Sequence, residues 1–352
     1  MRALAGATTE PGSRADASLE AGSLLVLTVT RDCNLRCSYC PTAKDGWPSL
    51  DETDARRALD LFARPVQEGG FGGGAVKIFG GEPLLVPEVV RASLAHAETL
   101  DAVRSIQLST NGLMLDDAWL DLVASHEKTI LQISMDGRPE DHRRHRRSLP
   151  QVGDTYDRVK ALAPRLSRMA RVVVTQTIPP ATAGSAAENF EHLLGLGFRR
   201  FNFLPGYYLP WTDAQLAALE ASFGEMARRI EALFDAGERL YVRNLTTRAP
   251  TPFFNTGLVV DADRTIHPSN VGLSGALEDL LAETRCGDLD APPTAEALAE
   301  KQREVNALLE RTLPPRVWSS TLAVDAALTR FCRGLLPRWI AARRRARGRS
   351  AA

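Results

Sequence analysis

The sequence predicts an α/β protein: a partial (β/α)6 barrel of the TIM type followed by a C-terminal α+β extension. Short β-branched runs alternate six times with amphipathic helical runs, and this rhythm requires a parallel sheet with helical crossovers. Polar or glycine-containing segments follow four of the strands, in four different loops. Because the carboxyl ends of parallel strands form the active face, four such loops favour a barrel mouth over the single crevice of an open sheet.

The elements follow in order along the chain. Apolar runs predict strands at 24–30, 75–79, 105–109, 130–134, 171–177 and 200–204, and helical periodicity predicts helices at 51–63, 87–100, 116–125, 156–166, 186–196 and 212–236. The last of these helices has a capping residue at Thr212 or Asp213. From about residue 238 the rhythm changes to a hairpin at 256–266, turning at 261–263, and to helices at 295–313 and 321–349. Pro337 is expected to interrupt the final helix.

Length and composition limit the organisation and the class of protein. We expect a disordered lead-in at 1–22, the barrel at 23–236 and the extension at 237–352. The chain has 43 basic and 43 acidic residues, so net charge gives no case for a nucleic-acid or membrane partner. Five cysteines in 352 residues are not a secreted disulfide framework, and the start of the chain lacks a secretory apolar segment. These observations predict a cytoplasmic protein.

The most informative motif is the segment 33–40, called the cysteine loop below, in which Cys33, Cys37 and Cys40 have the spacing C-x3-C-x2-C. Three thiolates this close can hold one face of a cubane iron–sulfur cluster, which leaves the fourth iron open. A structural zinc site is the alternative. It requires four ligands, commonly in two pairs, and no histidine lies within fifty residues of Cys40.

The cysteine loop resembles that of the radical S-adenosylmethionine (radical SAM) superfamily. The resemblance implies a [4Fe–4S] cluster on the three cysteines and S-adenosylmethionine chelated to the open iron. It further implies reductive cleavage to a 5′-deoxyadenosyl radical, which abstracts a hydrogen atom from a substrate. The incomplete barrel is also the fold that this resemblance implies. In this superfamily an aromatic residue at the position of Tyr39 packs near the adenine.

Two motifs after the second and third strands are similar to superfamily motifs. Gly80-Gly81-Glu82-Pro83 resembles the GGE motif, which contacts the amino group of the cofactor. Without the resemblance, the same residues indicate only a strand-to-helix turn. Ser109-Thr110-Asn111-Gly112 resembles a segment that lies near the cofactor, and the resemblance implies cofactor contacts for Ser109 and Asn111. Its alternative is an ordinary Asn-Gly turn.

The segment after the fourth strand, Ser134-Met135-Asp136-Gly137 followed by His142 to Arg146, resembles that of the peptide-modifying SPASM/twitch maturases, including anaerobic sulfatase maturases. The resemblance implies that Ser134 binds the cofactor ribose and that Arg146 binds its carboxylate. Arginine suits this role because its fork pairs with carboxylates. The alternative is a solvated basic loop, which we favour for Arg143, Arg144 and Arg147. For His142 and His145 we favour packing or hydrogen bonding over acid–base roles.

The extension departs from that branch. Its hairpin resembles the start of a SPASM or twitch extension, but most of the cysteines for auxiliary clusters are missing. Cys286 and Cys332 cannot fill a four-cysteine site, so no complete auxiliary cluster is expected. Both are interpreted as buried apolar-like residues. Tyr207, Tyr208 and Trp211 are interpreted as packing residues, with a substrate pocket as the alternative.

Taken together, these features predict a radical SAM oxidoreductase that acts on a peptide or protein side chain. A radical SAM enzyme for a small metabolite is the first alternative, and a non-catalytic iron–sulfur redox sensor is the second. The expected partners are an electron donor such as a flavodoxin or ferredoxin, a precursor peptide, and a leader-binding protein acting in trans.

Overall fold

The computed structural model describes residues 23–42, 47–247, 251–273, 277 and 280–350. The predicted lead-in at 1–22 lies outside the described residues. The strands are β1 Leu24–Thr30, β2 Leu35–Cys37, β3 Gly74–Gly80, β4 Val103–Thr110, β5 Thr129–Ser134, β6 Arg146–Ser148, β7 Val172–Ile178, β8 Arg200–Pro205, β9 Tyr241–Val242, β10 Thr256–Val260, β11 Thr265–Ser269 and β12 Gly287–Asp288. The helices are α1 Glu52–Ala63, α2 Pro87–Thr99, α3 Asp117–Ser125, α4 Pro139–His145, α5 Thr155–Leu166, α6 Ala186–Gly195, α7 Asp213–Asp235, α8 Leu281–Thr284, α9 Ala295–Thr312 and α10 Pro315–Ser350.

The predicted parallel sheet with helical crossovers is confirmed. The main sheet has the order β12-β11-β10-β1-β3-β4-β5-β7-β8-β9, and its neighbours from β10 to β9 run parallel. β1, β3, β4, β5, β7 and β8 are the six strands expected from the sequence, and α1, α2, α3, α5, α6 and α7 are the six helices. The strand β9 was not predicted, because two residues carry no period-2 pattern.

The main sheet is curved, and the interaction between Lys77 and Arg243 indicates the curvature. Lys77 lies on β3, and Arg243 directly follows β9, five strands away in the sheet order. In a flat sheet, five steps at ~4.8 Å would separate them by roughly 24 Å. The charge of Arg243 nevertheless helps to lower the pKa of Lys77. The strands therefore bend round toward each other, as in a partial barrel.

The outer face of the sheet holds the main core. Alternate residues on the strands pack against helices α1 to α3 and α5 to α7, among them Leu25, Ile78, Ile106, Ile133 and Phe201, all with 0 % exposure. Side-chain caps fix where two of these helices begin. Asp51 accepts from the Asp54 N–H before α1, and Thr212 forms a reciprocal capping box with Gln215 before α7. Of the two expected capping residues, Thr212 is thus the cap.

The final helix corrects one prediction. α10 begins at Pro315 rather than residue 321 and continues through Pro337 without interruption. A mid-helix proline loses one backbone hydrogen bond. Here an apolar stripe on the same helix is buried against the core, and it includes Phe331, Leu335 and Trp339 on either side of the proline. Burial of this stripe holds the helix together across the proline.

The predicted hairpin is present as β10 and β11, and it joins the barrel sheet. β10 pairs in parallel with β1, so the C-terminal segment is contiguous with the strand that leads into the cysteine loop. Arg31, fully buried at the end of β1, forms an ion pair with Asp261 in the hairpin turn. Its guanidinium also lies 3.4 Å from the centre of the Trp47 ring. Among the described residues, no helix combines the length and apolarity needed to cross a membrane.

Candidate cofactor site at the barrel mouth

The cysteine loop is clamped onto the segment that follows α4. Within the loop, β2 pairs antiparallel with β6, which places Cys37 opposite Arg146. Next to this pair, the Ser38 N–H donates to the His145 carbonyl at 2.9 Å, and the Ser38 hydroxyl contacts Nδ1 of His145 at 2.7 Å. These contacts join two segments that are about 107 positions apart in the chain. The structure therefore brings the predicted metal ligands close to Arg146, the arginine predicted to bind the cofactor carboxylate.

The three thiols lie close together and are half-buried. Burial, with smaller contributions from the charges of Cys40, Asp136 and Cys33, raises the pKa of Cys37 to about 12, although Arg146 acts in the opposite direction. Cys33 Sγ accepts from the Leu35 N–H at 3.4 Å and faces Nδ2 of Asn111 at 4.0 Å. A positive charge and N–H donors around the sulfur atoms favour a thiolate-bound, negatively charged cluster.

Asp136 is the centre of a buried network beside the cysteines. Arg146 donates to it through Nε and Nη2, each at 3.1 Å, and the Tyr39 hydroxyl donates at 2.6 Å. The Thr177 N–H donates to the same carboxylate at 3.2 Å. Burial alone would lower the pKa of Arg146, but the Asp136 carboxylate raises it above its ordinary value. The network orients Tyr39 and Arg146, two of the predicted cofactor contacts.

Glu82 is fully buried and anchors the loops after β3 and β4 to each other. Its carboxylate accepts from the Thr110 hydroxyl at 2.8 Å, the Asn111 N–H at 2.7 Å and the Leu84 N–H at 3.1 Å. Burial raises the pKa of Glu82, while these three hydrogen bonds lower it. The buried carboxylate therefore fixes the position of Asn111.

The two glycines before Glu82 allow close backbone packing against residues 30–32, which lead into the cysteine loop. A Cβ at Gly80 would lie 2.0 Å from the Thr30 carbonyl oxygen, and one at Gly81 would lie 2.2 Å from the carbonyl oxygens of Arg31 and Asp32. The Gly81 N–H donates to the Thr30 carbonyl at 2.9 Å. Glycine has no Cβ and therefore permits another group to approach its backbone closely. Here the group that approaches is the backbone of residues 30–32.

Asn111 connects the loop after β4 to the cysteine loop. Its Nδ2 donates to Oδ1 of Asn34 at 2.8 Å, and its Oδ1 accepts from the Leu113 N–H at 2.9 Å. Two buried nitrogen atoms near the cysteines, Nδ2 of Asn34 and Nε2 of His145, have no hydrogen-bond partner in the described part of the chain. Unpartnered buried polar atoms beside the thiols fit a site that a bound group completes.

Ser134 and Ser109 lie on the inner face of the barrel. Ser134 ends β5, opposite Thr175 of β7, and is half-buried. Ser109 accepts from Nε2 of Gln107 at 3.2 Å on the same face. In the described residues the Ser134 hydroxyl has no side-chain partner, so it can bind a ligand in the mouth.

Among the described residues, no group of three or more histidine, cysteine, aspartate or glutamate side chains is arranged so that it could hold a single metal ion.

The prediction of a basic loop after Gly137 is wrong, because this segment has regular secondary structure. It forms α4 and β6, because Pro139 starts a helix and β6 pairs with the cysteine loop. Arg143 lies on the surface, paired with Asp154 and Asp157. The two histidines are buried and hydrogen-bonded, as favoured from the sequence.

His142 is fully buried and neutral. Its Nδ1 accepts from the Asp136 N–H at 3.3 Å, so Nε2 carries the proton and donates to the Thr155 hydroxyl at 2.7 Å. Burial lowers the pKa of His142 from 6.5 to about 4. A histidine with a lowered folded-state pKa stabilises the fold above pH 6.5, and this contribution is lost as the pH falls toward 4.

We predict that this loss is measurable with the variant His142→Gln. Between pH 6.5 and pH 4, the free energy of unfolding of the unaltered chain should fall by about 3 kcal/mol more than that of the variant. Urea unfolding at several pH values measures the difference, in which the carboxylates common to both chains cancel. If the free energy of unfolding fell equally in the two chains, the assignment of His142 as a buried, neutral histidine would be contradicted.

The aromatic residues after β8 are packing residues in the structure. Tyr207 and Trp211 are buried. The Tyr207 hydroxyl donates to Asp325 at 3.1 Å, and Nε1 of Trp211 donates to the Gly206 carbonyl at 2.8 Å. Cys286 and Cys332 are half-buried against the main core, where burial raises their pKa values to about 11 and about 12.

The sequence analysis named Asp136 without giving it a role, and it did not single out Asn34 or Lys77. Asp136 stands inside the Ser-Met-Asp-Gly motif, and its position there was the available signal. Asn34 directly follows the first cysteine. Lys77 is a charged residue in the middle of an apolar strand, a pattern that points to a functional role.

The fold and the site together define a class of protein: a partial β/α barrel with a three-cysteine cofactor site at its mouth. The family model of the radical SAM superfamily matches residues 27–202, half of the chain. The chain belongs to the radical SAM superfamily. Members of this superfamily are enzymes whose cofactors are a [4Fe–4S] cluster and S-adenosylmethionine, and the same holds for this chain.

The curated relatives are similar over a short region. A GTP 3′,8-cyclase of Geobacter sulfurreducens is 38% identical over 112 residues, which is 32% of this chain and 33% of that protein. Molybdenum cofactor biosynthesis protein 1 of Mus musculus is 36% identical over 96 residues, 26% of this chain and 14% of that protein. The chain thus spans a third or less of the length of these relatives.

Solved structures are similar over most of the chain. Native anSMEcpe with bound AdoMet, an anaerobic sulfatase maturase, has a TM-score of 0.66 and 16% identity, covering 89% of this chain and 98% of that chain. Streptococcus suis SuiB bound to S-adenosylmethionine has a TM-score of 0.56 and 14% identity, covering 79% and 64%. At these identities the likeness establishes the fold, including the predicted partial barrel.

Proposed function

We propose that this chain cleaves S-adenosylmethionine reductively and abstracts a hydrogen atom from a peptide or protein side chain. The supporting observation is the buried network that joins the cysteine loop to the loops after β3, β4 and β5. In this proposal, Cys33, Cys37 and Cys40 bind the cluster, and Tyr39, Gly80, Gly81, Glu82, Ser109, Asn111, Ser134 and Arg146 hold the cofactor. When bound, the cofactor pair supplies the 5′-deoxyadenosyl radical.

In this proposal, the side chains at the barrel mouth bind the cofactor and orient it. With Asp136 on Nε and Nη2 of Arg146, Nη1 is the nitrogen left for a cofactor carboxylate. Glu82 accepts one hydrogen bond on Oε2, so that oxygen retains acceptor capacity for an ammonium group. Ser134 offers its hydroxyl to the ribose. The barrel wall excludes water from the reacting centre.

The peptide substrate is supported by the fold. The chain is similar to anSMEcpe, solved with a Kp18Cys peptide, at a TM-score of 0.65 and 16% identity. It is also similar to SuiB, solved with the precursor peptide SuiA, at 0.53 and 14%. The proposal includes a precursor peptide, a leader-binding partner and an electron donor such as a flavodoxin or ferredoxin. It includes the cytoplasmic location and the division at about residue 236 expected from the sequence.

A small metabolite is the second candidate. The region of highest sequence similarity is shared with GTP 3′,8-cyclases, and the barrel interior carries basic side chains. A redox sensor without turnover is the third candidate, and it would not need the cofactor contacts proposed above.

Isotope transfer tests the substrate class. The anaerobically reconstituted chain is incubated with S-adenosylmethionine, reductant and a deuterated candidate precursor peptide. We expect deuterium in the 5′-deoxyadenosine, because the radical carbon takes the atom that it abstracts. A parallel reaction with deuterated GTP is the control. Transfer from GTP, and none from the peptide, would favour the second candidate.

A further inference from the structure

A large cavity lies at the end of the barrel opposite the cofactor site. Its volume is about 1140 Å³, and the first residues of β7, β8 and β9 line it together with the last residues of α5 and α7. The C-terminal part of α10 closes it through Trp339 and Ala342. Parallel strands begin at this end, whereas the cysteine loop follows the carboxyl end of β1. The cavity therefore shares no residue with the cofactor site.

Arginine side chains dominate the charge of this cavity. Its lining contains two carboxylates, Asp235 and Glu238, and no lysine or histidine. The arginines of the lining are six: Arg168, Arg199, Arg200, Arg239, Arg343 and Arg345. The described lining thus carries four more positive than negative charges.

Two of the six arginines are engaged by the chain itself. Arg199 pairs with Glu238 at 3.1 Å, and Arg345 lies 3.7 Å from Asp235. The same two arginines donate to backbone carbonyls near the ends of α6 and α7, at 3.0 and 3.4 Å. Both carboxylates of the cavity and the negative ends of these helices are therefore already matched by positive charge.

The other four arginines have no ion pair with any described residue. The Arg200 guanidinium lies 4.4 Å from the centre of the Tyr241 ring, and that of Arg343 lies 4.7 Å from the centre of the Trp339 ring. The buried Nε of Arg200 has no hydrogen-bond partner in the described part of the chain. An aromatic ring positions a guanidinium but accepts little of its hydrogen-bonding capacity. These arginines can therefore still bind an anion.

The rest of the lining is largely apolar, and the walls are the ends of strands and helices rather than the length of one element. The space is thus a compact pocket, slightly larger than the roughly 300–1,000 Å³ of typical small-molecule sites. Arginine forks bind phosphate groups bidentately. Apolar walls accept a flat ring system, and among them are Met169, Phe198 and Phe234. A ring system that carries several negative charges is the chemistry of a nucleotide.

We propose that this cavity binds a nucleoside triphosphate, with the phosphates on Arg200, Arg239 and Arg343 and the base against the apolar wall. The site goes beyond the proposed function, because it lies at the other end of the barrel from the reacting groups. An acidic peptide is the competing ligand. It would match the charge, but an extended chain requires a groove along an element.

Calorimetric titration of the reconstituted full chain with ATP tests the site. Excess S-adenosylmethionine is present to occupy the mouth, and reductant is absent. We expect ATP to bind, and Arg200→Met and Arg343→Met each to weaken binding about tenfold or more, as for loss of a charged hydrogen bond. The peptide acetyl-Asp-Glu-Asp-amide is the second probe and should bind more weakly than ATP.

The matched control is Arg303→Met, an exposed arginine on α9 outside the cavity, which should leave the affinity for ATP unchanged. Arg343 is exposed, so its replacement should leave the melting temperature of the chain unaltered and show a binding role without a folding defect. Absence of ATP binding, equal affinity in all variants, or tighter binding of the peptide overturns the proposal. Because no turnover is measured, the result is independent of whether the chain cleaves S-adenosylmethionine.

Discussion

Replacing Cys37 with serine should abolish cluster binding and all formation of 5′-deoxyadenosine. Cys37 lies at the centre of the motif, opposite Arg146, and its pKa responds to both other cysteines. Without it a cubane keeps only two of its three protein thiolates, and serine is a much poorer ligand for iron than thiolate. Iron content and the visible absorbance after anaerobic reconstitution measure the loss.

Cys332→Ser is the matched control. Cys332 is also half-buried and also has a raised pKa, but it lies on α10 in the core. This variant should bind a complete cluster and retain its turnover. Equal iron content in the two variants would argue against the assignment of Cys37.

The second large effect is expected for Asp136→Asn. This substitution keeps the shape of the side chain but leaves the Arg146 guanidinium, 8% exposed, without its carboxylate. Breaking a buried ion pair from one side costs about 3–5 kcal/mol in the free energy of unfolding. The Tyr39 hydroxyl loses a charged acceptor at the same time. Urea unfolding of the apoprotein measures the effect.

Asp157→Asn removes the carboxylate of an exposed pair with Arg143 and serves as the comparison. Pairs of this kind contribute roughly 0–1 kcal/mol. If Asp136→Asn lowered the free energy of unfolding no more than Asp157→Asn, the buried network would not stabilise the fold. It would also mean that the Asp136 carboxylate does not hold Tyr39 and Arg146 in position.

The sequence was sufficient for the repeating elements because their signals are local. β1 is rich in β-branched residues, which are typical of strands in isolation, and Thr212 caps α7 through Gln215, three positions away. The same local rules failed at Pro337, where long-range burial of the α10 stripe outweighs the intrinsic cost of a proline. They also failed at β6, which exists only because it pairs with the distant cysteine loop.

At the site, the spacing in the sequence identified the cysteines. The contacts of the other site residues depend on the fold and could not be read from the sequence. The partner of Arg146 is Asp136, and nothing in the spacing of ten residues indicates a bidentate ion pair. The motif match at Gly80 and Gly81 gave no sign that a Cβ at either position would meet backbone carbonyl oxygens of residues 30–32, just before the cysteine loop. Lys77 and Arg243 approach each other only because the sheet curls.

The most direct test of the central claim is reductive cleavage of S-adenosylmethionine by the purified chain. The protein is reconstituted with iron and sulfide without oxygen, reduced with dithionite and given the cofactor, and 5′-deoxyadenosine is measured by mass spectrometry. We expect 5′-deoxyadenosine from the unaltered chain and none from Cys37→Ser or from a reaction without reductant. A chain that carries a complete cluster and forms no 5′-deoxyadenosine, or that purifies with zinc on the three cysteines, would contradict the claim.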